Sequence, residues 1–290
     1  MGRNIIAELR KRYPWPDAKP DLPFDGHGWF GWCHKAMLDI VLPKKAFVIV
    51  ELGSWLGCST RHILDSAPQT TVIAVDHWKG DESILRDCDQ ETKDKLDRLY
   101  ERFLANCWDY KDRLIPMRAT TLDALQEMHG LGLKPQFIYL DASHEYADVV
   151  KDLDMIGALY PGVRLGGDDY GGKWVGLKKA VDDYAAKMGF VVCTAEHAWT
   201  LALPKEVELL DSGLASAKRF RKDEMDRAAK KLKEEQEKEA EKKKAEERRK
   251  AAEKERREAE AKASAEAKRL AELAEPAVEP KEEKDQESDG

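Results

Sequence analysis

Between residues 47 and 203, short apolar runs alternate with stretches of helical periodicity, and this alternation constrains the fold more than any other feature of the chain. The run Phe47-Val48-Ile49-Val50-Glu51-Leu52, closed by Gly53, reads as a strand buried on both faces. Further strands are predicted at 71–75, 113–117, 137–140 and 163–166, with helices at 59–67, 91–108, 122–128, 146–160 and 174–188 between and after them. Strands that alternate with helices form parallel β-α-β units with right-handed crossovers. Two more strands, 190–194 and 199–203, have no helix between them and are expected to pair antiparallel. The expected fold is an open α/β sheet of seven strands, the last one antiparallel. Such a sheet binds its ligand beyond the carboxyl ends of its strands, so functional residues should follow strands.

Outside that span the composition changes. The chain has 290 residues and net charge −7, and residues 211–290 hold 23 basic and 24 acidic side chains with no Trp or Cys. That leaves 26 basic and 32 acidic groups, and all eight Trp, to residues 1–210. The tail has too little apolar surface to form a core. The expected layout is a cap segment over 1–45, irregular at first with a short helix at 29–42 stopped by Pro43, then the sheet domain over 46–205. A charged helix follows over 214–275, and an acidic, disordered stretch over 276–290. From 216 to 275 there is no Pro or Gly, and Glu234/Lys238, Glu239/Lys243, Glu246/Lys250 and Glu253/Arg257 stand in the favourable i, i+4 order. Phe220, Met225, Leu232, Leu270 and Leu273 are too sparse for a sustained coiled-coil seam, which favours an isolated helix over self-association or a partner through this segment.

Several functions fall away on the same grounds. No apolar run approaches the roughly 18–20 residues that span a bilayer, and the start lacks a secretory signal, so no membrane role is expected. The five cysteines are scattered and never form a C-x-x-C pair, which argues against a zinc site or disulfide framework and for a reducing cytoplasm. The net negative charge of the globular part and the balanced tail argue against nucleic acid as a partner.

The polar groups at the strand ends carry the chemistry. Glu51-Leu52-Gly53-Ser54-Trp55-Leu56-Gly57-Cys58-Ser59-Thr60 runs from the first strand into a helix, and its two glycines allow a tight turn and close approach of a ligand to the backbone. A purely structural turn would look the same. Asp76 ends the second strand, where a carboxylate can accept both hydroxyls of a ribose. A dinucleotide loop needs a second glycine where Trp55 stands, so a nucleoside without phosphates, S-adenosylmethionine above all, fits better. Asp141-Ala142-Ser143-His144 follows the fourth strand and Gly166-Gly167-Asp168-Asp169 the fifth, neighbours in a parallel sheet. Three carboxylates so close repel, and a divalent cation resolves the conflict, Mg²⁺ or Ca²⁺ suiting oxygen ligands better than zinc. Taken singly, Asp168 and Asp169 would also suit a solvated turn or helix cap.

With those motifs in place the segment over about 25–205 resembles the class I S-adenosylmethionine-dependent methyltransferases, most closely the small-molecule O-methyltransferases of the catechol and macrolide-sugar groups. The resemblance implies a Rossmann-like seven-stranded methyltransferase sheet. It implies that Glu51, Gly53, Ser54 and Ser59 line the methionine end of the cofactor, with Gly57 in the same cofactor-binding loop, Asp76 its ribose, and His77 or Trp78 its adenine face. It also implies a cation, Mg²⁺ the expected one, on Asp141, Asp168 and Asp169. His144 stands where the catechol group has a lysine base, and Asp169 where it has an asparagine. The expected activity is metal-assisted O-methylation of a small hydroxylated acceptor or sugar, with Asp141 and His144 catalytic. Two rivals remain: a metal-bearing relative with another reaction such as hydroxylation, and a nucleoside-binding scaffold with a tethering tail.

Overall fold

A computed structural model describes residues 2–43, 45–80, 86 and 88–273. Strands β1 (Val48–Leu52), β2 (Thr71–Asp76), β3 (Leu114–Arg118), β4 (Phe137–Leu140), β5 (Arg164–Gly167), β6 (Val191–Ala195) and β7 (Ala198–Ala202) form one sheet in the order β3-β2-β1-β4-β5-β7-β6. All neighbours are parallel except β7, which runs against both β5 and β6. The chain moves outward from β1 to β3 and then returns to lay β4 beside β1. This reversal of direction opens the crevice in which a doubly wound sheet binds its ligand.

Helices cover both faces: α1 (Gly2–Arg12), α2 (Trp32–Val41), α3 (Cys58–Ser66), α4 (Gln90–Asp94), α5 (Leu99–Asn106), α6 (Thr121–Gly130), α7 (Tyr146–Leu159) and α8 (Val175–Met188). The period-2 geometry of β1 divides its side chains between two cores. Val48, Val50 and Leu52 pack with Leu9 of α1, Leu125 of α6, Leu153 of α7 and Val181 of α8. Ile49 packs on the other face with Leu38 of α2, Ile63 of α3 and Phe103 of α5.

The structure departs from expectation at two places in this unit. The start of the chain is not irregular, because residues 2–12 form α1, whose Ile6 and Leu9 enter the core. The helix expected over 91–108 is broken, with Arg98 in the left-handed region at φ 57° between α4 and α5. Lys95, just before the break, is buried against Asp25 with Nζ–Oδ2 at 3.0 Å, a tertiary contact at the point where the helical pattern stops.

The chain divides into two compact units after Phe220. Helix α9 (Val207–Leu273) begins earlier than expected. In its second unit Glu239–Lys243, Glu246–Lys250 and Glu253–Arg257 close at 3.2, 2.8 and 2.8 Å, three of the four expected pairs. Phe220, Met225, Leu232 and Leu270 are exposed. Residues 276–290 lie outside the described residues. Among the described residues no helix is long and apolar enough to cross a membrane.

Candidate active site

The loop after β1 is held by its neighbours on either side. Gly53, at φ 88°, donates its N–H to Val75 O of β2, and a Cβ there would stand 1.8 Å from the Asp141 carbonyl oxygen after β4. Only glycine fits between those two strand ends. Gly57, at φ 81°, enters α3 in the left-handed region, and a Cβ there would meet Cys107 Sγ at 2.4 Å. Asp76 fixes the loop between them: Ser54 N and Trp55 N donate to its Oδ2 at 3.1 and 2.9 Å, and Trp78 N to its Oδ1 at 2.6 Å. Burial raises this carboxyl above the ordinary carboxylate range, against the pull of those N–H groups. A carboxylate offers about four acceptor positions, and these three N–H groups leave one of them, on Oδ1, open.

Glu51 turns into the protein. Ser54 Oγ donates to its Oε2 at 2.8 Å and Thr60 Oγ1 donates to the same oxygen, while burial raises its carboxyl. Its Oε1, and the hydroxyl of Tyr139 at the paired position on β4, are buried without a partner among the described residues.

A cavity of about 910 Å³ opens at the carboxyl edge of the sheet. Gly53, Ser54, Ser59, Asp76 and His77 line it, together with Asp141, His144, Asp168 and Asp169. Glu51, expected at the methionine end, and Gly57, expected in the cofactor-binding loop, are not among the lining residues; Glu51 anchors the loop through Ser54 and Gly57 turns it into α3. Of the two residues expected beside adenine, His77 lines the cavity. Trp78 is buried between Tyr100 and Phe103 and donates its indole N–H to Trp55 O at 2.9 Å.

The acids meet where β4 and β5 end. Asp141, His144 and Asp169 each offer a ligand atom, and these lie within 4.8 Å of one another. Burial first, then the charges of Asp168, Asp169 and Glu51, raise the Asp141 carboxyl well above its usual range. That uncompensated charge, on oxygen donors with one imidazole, fits a divalent cation. His144 Nε2 stands 2.6 Å from Asp169 Oδ2, and its ring stacks on Trp174 at 3.9 Å between centroids and 16° between planes. With the proton on Nε2 and given to Asp169, Nδ1 carries the lone pair.

Sequence reasoning missed what holds Asp168. Its Oδ1 takes the Nε2–H of His34, on α2, at 2.7 Å and the Asp169 N–H at 2.6 Å, and its main-chain oxygen takes the indole N–H of Trp199 on β7 at 2.9 Å. Burial disfavours a charged His34 and the Asp168 carboxylate favours it, with a net upward pull. The Gly31 N–H, 2.7 Å from Nδ1, needs the lone pair there and keeps the ring neutral with its proton on Nε2. Trp29 and Phe30, just before α2, line the cavity, and Phe30 stacks on His34.

Residues 50–170 match a family of methyltransferase domains. The matched stretch runs from β1 to the acid turn after β5, and that part of the chain is similar to a methyltransferase domain. Among solved structures, an O-methyltransferase from Bacillus cereus in complex with SAH is 15% identical, with 69% of this chain and 90% of that one covered and a TM-score of 0.38. A putative O-methyltransferase from Klebsiella pneumoniae is 15% identical over 69% and 88%, at 0.39. A fibrillarin pre-rRNA processing protein from Methanococcus jannaschii is 16% identical over 55% and 67%, at 0.36. No curated protein matches the chain by sequence.

Proposed function

We propose that the domain transfers the methyl group of S-adenosylmethionine to a hydroxyl oxygen of a small acceptor, assisted by a divalent cation. What supports the reading is one juxtaposition: Asp76 of the cofactor side and the Asp141, His144, Asp168 and Asp169 group line a single cavity. That cavity is of a size to take a nucleoside and a small acceptor together.

Asp141 and Asp169, whose ligand atoms converge with that of His144, would hold the cation, with Mg²⁺ the expected ion; Asp168, expected as the third ligand, lies outside that group and has its Oδ1 engaged by His34 and the Asp169 N–H. Bound there, the ion would act as a Lewis acid that lowers the acceptor hydroxyl's pKa. The residues of the chain do the rest. The Gly53 turn and Asp76 seat the nucleoside, and Ser54 and Ser59 face its amino-acid end. His144 Nδ1 accepts the hydroxyl proton while Asp169 and Trp174 fix the ring. In the transfer the oxygen–carbon bond forms as the carbon–sulfur bond breaks, and S-adenosylhomocysteine leaves as the neutral thioether. The task is in-line positioning plus the handling of one proton.

Methyl transfer from labelled S-adenosylmethionine to a panel of vicinal diols, catechols and sugars, with Mg²⁺ or with excess chelator, tests the reading. The expected result is transfer to a hydroxyl that chelator abolishes and Asp141→Asn does not support. Transfer undiminished by chelator removes the cation from the mechanism, and transfer to nitrogen alone removes the hydroxyl acceptor.

A further inference from the structure

Lys173 takes no part in the reading above, although it lines the same cavity. It stands in the short loop between the acid turn after β5 and helix α8, a loop closed by Trp174 N donating to Gly171 O at 3.0 Å. Its Nζ lies 4.4 Å from the centre of the Trp174 ring, and the His144 ring stacks on that same indole. The ammonium is thereby held close to the imidazole that would take the acceptor's proton. Three acids of the cavity are matched within the chain: Asp148 by Lys151 at 2.9 Å, Asp168 by His34 at 2.7 Å and Asp169 by His144 at 2.6 Å. Among the described residues no carboxylate pairs with Lys173, and an indole face attracts an ammonium less strongly than a carboxylate does.

A second group stands beside it. His197, in the turn between β6 and β7, lines the cavity as well. Its main-chain oxygen takes the Tyr170 N–H at 2.9 Å, which ties that turn to the loop, and a Cβ on Gly172 would stand 3.5 Å from its Cε1. Lys173 and His197 are both exposed, and among the described residues neither side chain has a hydrogen-bond acceptor of its own. An ammonium beside an imidazole N–H suits an anion that offers two oxygens. One ammonium charge matches a monoanion, whereas the second charge of a phosphate would face Asp141 and Asp169. We infer that the hydroxylated acceptor carries a carboxylate, and that Lys173, assisted by His197, receives it while the hydroxyl lies at Asp141, His144 and Asp169. The inference rests on the assignment of this cavity to methyl transfer onto a hydroxyl.

Acceptors matched in shape and different in charge test it: protocatechuate against its amide, and glucuronate against glucuronamide, each with the full chain, S-adenosylmethionine and Mg²⁺. In the pair that is turned over, kcat/KM should favour the acid by about 10-fold, chiefly through KM, the worth of one charge-assisted hydrogen bond. Salt at about 0.5 M should shrink that preference. Lys173→Ala should bring the ratio of acid to amide to within about 3-fold, and Lys173→Glu should reverse it. Equal turnover of acid and amide by the wild-type chain overturns the inference and leaves transfer to a hydroxyl standing. A preference for the acid that Lys173→Glu retains in full does the same, and so does transfer to neutral hydroxyls but to neither acid. Transfer to no hydroxyl at all overturns the reading of the cavity and this inference with it.

Discussion

The Nε2 of His34 lies 2.7 Å from Oδ1 of Asp168, and both side chains are almost fully enclosed. This contact joins α2 of the cap segment to the acid turn after β5. Removing one member of a buried pair leaves the other without solvent or partner, a larger loss than the net worth of the pair. His34→Ala should therefore lower unfolding stability at pH 7 by about 3 kcal/mol. His34→Gln, which keeps an N–H donor, should lose about half as much. Urea unfolding of the two variants measures both, and equal stability of His34→Ala and wild type would mean that Asp168 finds water in the native state.

Gly53 is a position in the loop after β1 with no room for a side chain. Gly53→Ala would set a methyl group against the Asp141 carbonyl at a backbone angle that L-residues rarely adopt, and should cost more than about 2 kcal/mol. Gly130→Ala, at the end of α6 with open space around it, should be neutral or stabilising by about 0.5 kcal/mol. Thermal unfolding compares them, and binding of S-adenosylhomocysteine should be lost in the first variant only.

The carboxyl of Asp152 is pushed up to about 6 by burial, against the Thr121 hydrogen bond. Its folded-state pKa lies above the unfolded one, so its contribution to stability is complete below about pH 4 and is lost as pH rises through 6. Asp152→Asn should consequently stabilise the chain at pH 7.5, by at most about 3 kcal/mol, and the gain should shrink steadily toward pH 4.5. Melting temperatures across that range read the effect; a gain that does not change with pH would tie it to packing instead.

In the tail, ion pairs four residues apart are the visible support for helix beyond residue 220. All are exposed and therefore screened by salt. The ellipticity lost on ending the chain at Phe220 should itself decline when salt is raised to about 1 M. Light scattering should give a monomer mass for both lengths of chain, and a larger mass for the full chain alone would assign a self-associating role to α9.

The sheet was legible because its signal is local. Each strand falls within a residue or two of its apolar run, and the acids Asp76, Asp141, Asp168 and Asp169 stand at strand ends as the topology requires. What escaped is set by contacts distant in sequence. His34 and Asp168 are 134 residues apart, and nothing in Cys33-His34-Lys35 marks an imidazole that will meet a carboxylate. Asp152 reads as one more polar residue on an amphipathic helix until Thr121 is brought against it. The left-handed Arg98 carries no glycine or proline signal, and the contact made just before it, Lys95 to Asp25, joins residues 70 apart in sequence. Helix α1 was within reach, since Ile5, Ile6 and Leu9 already stand at helical spacing. It was hidden by the absence of any acid in its first turn and by the prolines that follow it.

Trp199 is the residue latest in the chain that touches the acid turn, through its indole N–H on the Asp168 carbonyl, while the His197 carbonyl takes the N–H of Tyr170. A growing polypeptide released only as far as residue 198 would hold every candidate acid and the whole parallel part of the sheet, yet lack the strand that seats Asp168. The seat of Asp168 is therefore complete only with the antiparallel strand β7 beside β5, whereas the loop that Asp76 holds is built from contacts between the ends of β1 and β2.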